Sequence, residues 1–171
     1  MKQTIFTIGH STRSIEEFIE LLKEYKIEQV IDVRTIPKSR HNPQFNMEEL
    51  SRKLESENIK YFHINELGGL RHSKKDSINL AWKNLSFRGF ADYMQTDEFK
   101  IGLNELIKLS RNKISAIMCA ESVPWRCHRS LISDALLIKG IDVIHILSRH
   151  NVIEHKMTPF AKIVENNIFY P

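Results

Sequence analysis

The chain has 171 residues, of which 42% are hydrophobic and 27% are charged, proportions that are ordinary for a soluble globular protein. The formal net charge of +4 permits an anionic partner without requiring one. No apolar run approaches the roughly 20 residues of a membrane span, so we expect no membrane partner. Two cysteines and no apolar leader after the first methionine favour a cytoplasmic protein whose thiols stay reduced.

Five short runs rich in β-branched and other apolar residues predict strands. They cover residues 4–8, 29–33, 60–64, 114–118 and 141–146. Helical patterns separate most of them, and this alternation is typical of βαβ units. We therefore expect an α/β fold with a mainly parallel sheet of about five strands and helices on both faces. No linker or internal repeat interrupts the chain, so residues 1–171 are interpreted as a single domain.

Capping signals place the helices between these strands. Ser14 with Glu17 three residues later forms a capping box. Predicted helix starts lie near Ser14, Asn46, Thr96 or Asp97, and Cys127. The last of these helices ends at Gly140, a residue that commonly terminates helices.

Two regions have less regular patterns. Residues 70–89 are interpreted as a long loop, and such loops in compact domains are usually functional or disordered. A short helix is expected to begin between Asp92 and Met94. The tail from Leu147 is expected to fold back on the domain as a helix.

Chemically versatile side chains follow, or end, each predicted strand. These residues are His10 with its neighbour Ser11, Arg34, Glu66, Cys119 with Glu121, and His145. Parallel strands deliver their carboxyl ends to one edge of a sheet, where ligands bind in such folds. We therefore expect these side chains to line a common cleft, with Arg34 as an anion ligand.

The helix predicted near Cys127 supplies a second group of candidates. Arg126, His128 and Arg129 flank Cys127, and positive charge at a helix N-terminus favours a thiolate. The same features favour a bound anion, with Arg129 as a ligand and His128 as an acid or base. Alternatively, Cys127 packs as a half-buried residue, and Glu121 pairs internally with Arg34 or Arg129.

Several segments together resemble the family known as domain of unknown function 488, almost from end to end. They are residues 7–11, 32–34, 61 with 67–69, 87–94, 119–121, 127–129 and 143–145. One departure is Phe90, where that family often has tyrosine. The resemblance implies a shared fold and brings no established reaction.

A second likeness is to rhodanese-like and cysteine-phosphatase domains. It rests on the run ending in Asp32 and Arg34, and on the later cysteine, arginine and helix. In those domains a helix N-terminus cradles an anion above a thiolate. Here the spacing from Cys119 to Arg126 is one residue longer than in the phosphatases, and Glu121 beside Cys119 opposes a thiolate there.

The candidate catalytic residues are thus Cys119, Glu121, Cys127 and His128. They indicate an enzyme or ligand-binding protein acting on a small anionic, for example phosphorylated, compound; the sequence names no cofactor. Two alternatives remain open. The first is a metal-dependent enzyme built from histidine, cysteine and Glu121 side chains that converge in space. The second is a nucleic-acid-binding module that uses interleaved arginines and aromatic residues. Those residues are Arg34, Arg40, Arg71, Arg88 and Arg129 with Phe45, Tyr61, Trp82, Phe87, Tyr93 and Trp125.

Overall fold

The computed structural model describes residues 2–171 and contains a six-stranded sheet. Its strands are β1 (Thr4–Gly9), β2 (Gln29–Asp32), β3 (Lys60–His63), β4 (Ser115–Cys119), β5 (Asp142–Ser148) and β6 (Asn151–Glu154). Their order is β3-β2-β4-β1-β5-β6, and all neighbours are parallel except the pair β5 and β6. Two further strands, β7 (Lys162–Val164) and β8 (Asn167–Phe169), form a separate antiparallel pair. The predicted α/β class and the parallel five-stranded core are confirmed.

Helices pack on both faces of the sheet. They are α1 (Ile15–Glu24), α2 (Met47–Ser56), α3 (Leu85–Tyr93), α4 (Asp97–Ser110) and α5 (Arg129–Ile138). Because successive strand residues point to opposite faces, Ile117 packs among α3, α4 and α5, whereas Met118 packs among α1 and α2. None of the helices within residues 2–171 is long and apolar enough to span a bilayer.

The predicted capping residues start their helices. The Ser14 hydroxyl accepts from the backbone N–H of Glu17 at 3.1 Å, and Thr96 caps α4 in the same way. Asn46 occupies the N-cap of α2, although its side chain makes no capping hydrogen bond. Gly140 follows α5 with a φ of +79°, the left-handed conformation that glycine adopts without strain.

The connections from the neighbouring parallel strands β1 and β4 leave toward opposite edges of the sheet. From β1 the chain runs through α1 to β2 on one side, and from β4 it runs through α5 to β5 on the other. In α/β proteins ligands often bind outside the carboxyl ends of two such strands. Here the carbonyl of Glu121 packs against Gly9 at the end of β1, and the open space lies beside β4, toward β2. Gly9 and Cys119 are register partners at these two ends.

Two sequence predictions were wrong about regular structure. The helix α3 already begins at Leu85, inside the segment interpreted as a loop, because Asn84 caps it by accepting from the N–H groups of Ser86 and Phe87. It ends at Tyr93, where a short helix was expected to begin. The tail forms β6 and the β7–β8 pair instead of a helix. Its β-branched residues Val152, Ile153 and Ile163 suit strands better than helices.

The irregular segment before α3 forms hydrogen bonds to one buried carboxylate, that of Asp92 on α3. Asp92 accepts from the backbone N–H of Lys74 at 2.8 Å, from the hydroxyl of Ser77 and from the side-chain amide of Asn79 at 2.8 Å. Asn79 in turn accepts from the backbone N–H of Tyr170 at 2.8 Å. The segment is therefore ordered by hydrogen bonds to α3 and to the tail.

Candidate thiolate site

A cavity of about 390 Å³ opens at the carboxyl ends of β2 and β4, and we call it the strand-end cavity. Its volume is in the range of small-molecule sites. Four segments form its walls: the loop after β2, the turn around Gly69, the start of α3, and the loop between β4 and α5. The lining residues are Arg34, Thr35, Ile36, Lys38, Gly69, Leu70, Ser86, Phe87, Cys119, Ala120, Glu121, Arg126, Cys127 and His128.

Cys127 lies at the start of α5, directly after a 3₁₀ turn, Pro124–Arg126. The backbone N–H of Arg129, in the first turn of the helix, points to Cys127 Sγ at 3.4 Å. The remaining first-turn N–H groups donate to the carbonyls of Cys127 and His128. The sulfur of Cys127 thus occupies the place where we predicted an external anion, so the helix N-terminus favours a thiolate.

The guanidinium of Arg129 is fully buried between the two thiols and β1. Its Nε donates to Cys119 Sγ at 3.0 Å, its Nη1 to Thr7 Oγ1 at 3.0 Å, and its Nη2 to the carbonyl of Glu121 at 2.7 Å. Among residues 2–171, no carboxylate forms a salt bridge with it. A buried charge without a carboxylate is costly unless another negative group is near, and the thiols are the groups in contact.

The two thiols differ sharply in acidity. Burial alone raises the pKa of Cys127, but hydrogen bonding with Cys119 and the positive charge of Arg129 outweigh burial and bring the pKa to about 7. Burial, and then the proximity of Cys127, raise the pKa of Cys119 well above the usual thiol value. Cys127 is therefore the more acidic thiol of the pair.

His128 is oriented as a proton acceptor for Cys127. Its Nε2 lies 2.8 Å from the carbonyl of Val33, which only accepts, so Nε2 carries the ring proton. The unprotonated Nδ1 lies 3.4 Å from Cys127 Sγ. Burial lowers the pKa of His128, which keeps the free imidazole neutral.

Arg34 lines the cavity, and its guanidinium forms a buried salt bridge with Asp32. Nη2 of Arg34 lies 2.7 Å from Asp32 Oδ2, and both side chains are buried. Tyr61 also donates to Asp32, at 2.5 Å. The internal pairing that we considered between Glu121 and Arg34 or Arg129 is wrong. Asp32 is the partner of Arg34, and Glu121 meets Arg129 through its backbone carbonyl while its side chain is exposed.

The predicted cleft residues separate into two groups. Arg34, Cys119 and Glu121 line the strand-end cavity, with Cys127 and His128. His10 instead stacks on Phe45 at 4.3 Å and donates from Nδ1 to the carbonyl of Ser11 at 2.8 Å. Burial lowers the pKa of His10 to about 4.

Three further candidates lie away from the cavity lining. Ser11 continues the chain from β1 in a left-handed conformation, with a φ of 50°, and its N–H donates to the carbonyl of Ala120. The carbonyl of Glu66 accepts from the Tyr93 hydroxyl at 2.6 Å. His145 lies within β5, opposite Thr7, so placing it at a strand end was wrong.

The metal and nucleic-acid alternatives gain no support from the placement of their residues. Within residues 2–171, no three histidine, cysteine or acidic side chains converge as a metal site. Most of the aromatic residues proposed to stack bases pack internally: Trp82 contacts Phe87, for example, and Arg71 covers the ring of Tyr93. Trp125 is an exception, with 56% of its surface exposed.

Sequence reasoning named His145 but missed the buried polar groups linked to it, Thr7, His155 and Asp134. Thr7 contacts His145, which contacts His155, which contacts Asp134. Asp134 lies in a helix whose neighbours are apolar, and His155 lies in a tail that we expected to be helical. A fully buried aspartate is unusual and signals partners, but burial cannot be read reliably from sequence.

Comparisons with known proteins place the chain in a family without adding a reaction. The family model described as domain of unknown function DUF488 matches residues 14–136. A search of curated proteins finds no match, and a search of solved structures finds none either. The matched region contains the Cys119–Arg129 segment and all the residues that line the cavity. It includes most of the segments that suggested the family, but residues 7–11 and 143–145 lie outside it. The chain therefore belongs to the DUF488 family.

Proposed function

We propose that the protein is an enzyme in which the thiolate of Cys127 attacks a small anionic compound bound in the strand-end cavity. The observation that carries this proposal is the buried Arg129, which contacts the thiols and has no carboxylate partner among residues 2–171. A buried guanidinium in this position stabilises negative charge on sulfur, which makes Cys127 nucleophilic at neutral pH.

The walls of the cavity supply an anion site next to the thiolate. Lys38 and Arg126 line it, both are exposed at its mouth, and neither forms a salt bridge within the described residues 2–171. A phosphate or carboxylate of the substrate binds these cations while its electrophilic centre faces Cys127. Charges of this kind also raise the local concentration of an anionic substrate.

His128 serves as the base of the proposed reaction. Nδ1 of His128 takes the proton of Cys127 when the thiol is protonated, and the sulfur then forms a covalent bond to the electrophilic centre as a leaving group departs. The imidazolium returns its proton to that leaving group. Water or a second substrate then cleaves the thio-linked intermediate and restores the thiol.

Alkylation with two reagents of different charge tests the proposal. The rates of Cys127 modification by neutral iodoacetamide and anionic iodoacetate are measured by mass spectrometry from pH 5 to 10. The expected profile has an apparent pKa near 7 for Cys127. Lys38→Ala and Arg126→Ala are each expected to slow modification by iodoacetate by about 1.4- to fivefold, which corresponds to the roughly 0.2–1 kcal/mol of an exposed ion pair, and to leave the rate with iodoacetamide unchanged.

Two control variants distinguish effects of the cavity cations on Cys127 alkylation from effects of the overall charge of the protein and from alkylation of Cys119. Lys162→Ala removes an exposed cation on β7, outside the cavity lining, and is expected to leave both rates unchanged. Cys127→Ser identifies the signal from Cys119. If Cys127 titrates like an unperturbed thiol, or if both reagents respond equally to loss of Lys38 and Arg126, the proposal is wrong.

A further inference from the structure

A continuous row of hydrogen bonds joins Arg129 to the carboxylate of Asp134, which lies five residues later on α5. Nη1 of Arg129 lies 3.0 Å from Thr7 Oγ1, which lies 2.6 Å from His145 Nδ1. Nε2 of His145 lies 2.9 Å from His155 Nδ1, and His155 Nε2 lies 2.7 Å from Asp134 Oδ1. We call these five side chains the relay.

The partners at the two ends limit where the protons of the relay can lie. Arginine only donates hydrogen bonds, so Thr7 accepts from Arg129. With two neutral imidazoles, Nε2 of His155 donates to Asp134, Nε2 of His145 donates to Nδ1 of His155, and Thr7 donates to Nδ1 of His145. The relay then has one direction.

Asp134 is fixed as the accepting end by its other partners. The backbone N–H of Thr158 lies 3.1 Å from Oδ1, the Thr158 hydroxyl 2.6 Å from Oδ2, and the Tyr170 hydroxyl 2.8 Å from Oδ2. With His155, this fully buried carboxyl group accepts four hydrogen bonds. It is thus connected to the buried guanidinium through Thr7 and the two histidines.

We propose that the relay positions Arg129 against the thiols, so that Thr7, His145, His155 and Asp134 are positioning residues for the Cys127 thiolate. The inference rests on the proposed function of Cys127. If Thr7 did not give its proton to His145, that proton would be free to face the Nη1 donor of Arg129. The guanidinium would then lose its fixed orientation, and with it part of the positive potential at Cys127 Sγ.

The test compares two substitutions of Thr7 that leave the charge of the protein unchanged. Thr7→Val keeps the shape of the side chain and breaks the relay, whereas Thr7→Ser keeps the hydroxyl. The pH profile of Cys127 alkylation by iodoacetamide is measured for both. Thr7→Val is expected to raise the apparent pKa of Cys127 by about half a unit, a roughly threefold smaller thiolate fraction below that pKa. Thr7→Ser is expected to restore the wild-type profile.

A matched control separates positioning from stability. Tyr170→Phe removes a hydrogen bond to Asp134 but leaves the relay complete, so it is expected to lower the melting temperature without changing the Cys127 profile. If Thr7→Val lowers the melting temperature to a similar degree and leaves the profile unchanged, the relay is structural only and the inference is overturned.

A second measurement does not depend on the thiol. Nitrogen NMR of the imidazole rings is expected to show both His145 and His155 as neutral tautomers protonated on Nε2 near pH 7. His145 protonated on Nδ1, or charged, would contradict the relay even if Cys127 proves reactive. Conversely, an ordinary thiol pKa for Cys127 together with the expected tautomers would refute the proposed function and, with it, the positioning role.

Discussion

The Nε of Arg129 donates to the sulfur of Cys119 at 3.0 Å, and this arginine is fully buried without a carboxylate partner among residues 2–171. Thiols are weak acceptors, and a buried guanidinium usually meets a carboxylate. The contact is explained if the sulfur pair carries negative charge, and Cys127 is the thiol of the pair whose pKa is lowered, to about 7.

Replacing Arg129 should therefore change both the pKa of Cys127 and the stability of the folded protein. Arg129→Lys keeps the positive charge but cannot reach Cys119, Thr7 and the Glu121 carbonyl at once. We expect a loss of about 2–4 kcal/mol in the free energy of unfolding, because buried polar groups lose their partners. We also expect a higher pKa for Cys127. Urea unfolding and iodoacetamide profiles measure the two effects, and the exposed Arg111→Lys is the control, expected within about 0.5 kcal/mol of wild type.

Cys119 is expected to act on Cys127 through hydrogen bonding. Cys119→Ala removes the donor and should raise the pKa of Cys127 by about one unit, given the roughly 1.5 kcal/mol of a hydrogen bond to a charged group. Cys119→Ser retains a donor and should give a smaller shift. The pH dependence of Cys127 alkylation checks this. Equal profiles for the two variants would show that Cys119 only fills space.

Gly69 is a position where no side chain fits against the proposed base. A Cβ built there lies 2.5 Å from Nδ1 of His128, so Gly69→Ala must displace the imidazole. We expect slower alkylation of Cys127 near pH 7 and a loss of about 1–3 kcal/mol from overpacking. Gly140→Ala is the matched control: it strains a left-handed φ in open space and should lower stability without changing alkylation. An unchanged alkylation rate in Gly69→Ala would remove His128 from the mechanism.

Buried neutral histidines should make the fold sensitive to acid. Burial lowers the pKa from 6.5 to about 4 for His10 and to about 3 for His145. The unfolded chain therefore takes up protons first as the pH falls. Stability should fall from about pH 6.5 toward pH 4, with a maximum slope of about 1.4 kcal/mol per pH unit for each histidine.

Urea unfolding between pH 7.5 and 4.5 measures this slope. His10→Gln removes one titrating group and should make the dependence shallower, whereas His150→Gln at an exposed position should not. A wild-type stability that is flat over this range would mean that the two histidines have the same pKa in the folded and unfolded protein.

The sequence was informative where a local pattern determines a position. Strand patterns and capping residues located the sheet and most helices, and the parallel arrangement brought Arg34 and Cys119 to one cavity. It was uninformative about pairings between distant segments. Asp32 as the partner of Arg34, and Asp134 as the end of the relay, depend on tertiary packing that no short pattern records.

The secondary structure of the C-terminal tail, from Leu147 onward, also depends on pairings between segments that local patterns do not reveal. Residues such as Ile163 and Val164 fit a helix or a strand by apolarity alone, and the pairing of β7 with β8 decides between them. The hydroxyl of Tyr170, fully buried near the C-terminal end, reaches Asp134 across the fold. Its burial follows from that contact and could not be predicted before the partner was known.

The central place of β1 has a practical consequence for any dissection of the chain. The family match begins at residue 14, yet β1 ends at Gly9 and pairs with both β4 and β5. A fragment cut at residues 14 and 136 would lose β1 and β5 and expose the long edge of β4 to other chains. Such an unprotected edge promotes aggregation, so the borders of the family match are unsuitable as borders of a folding unit.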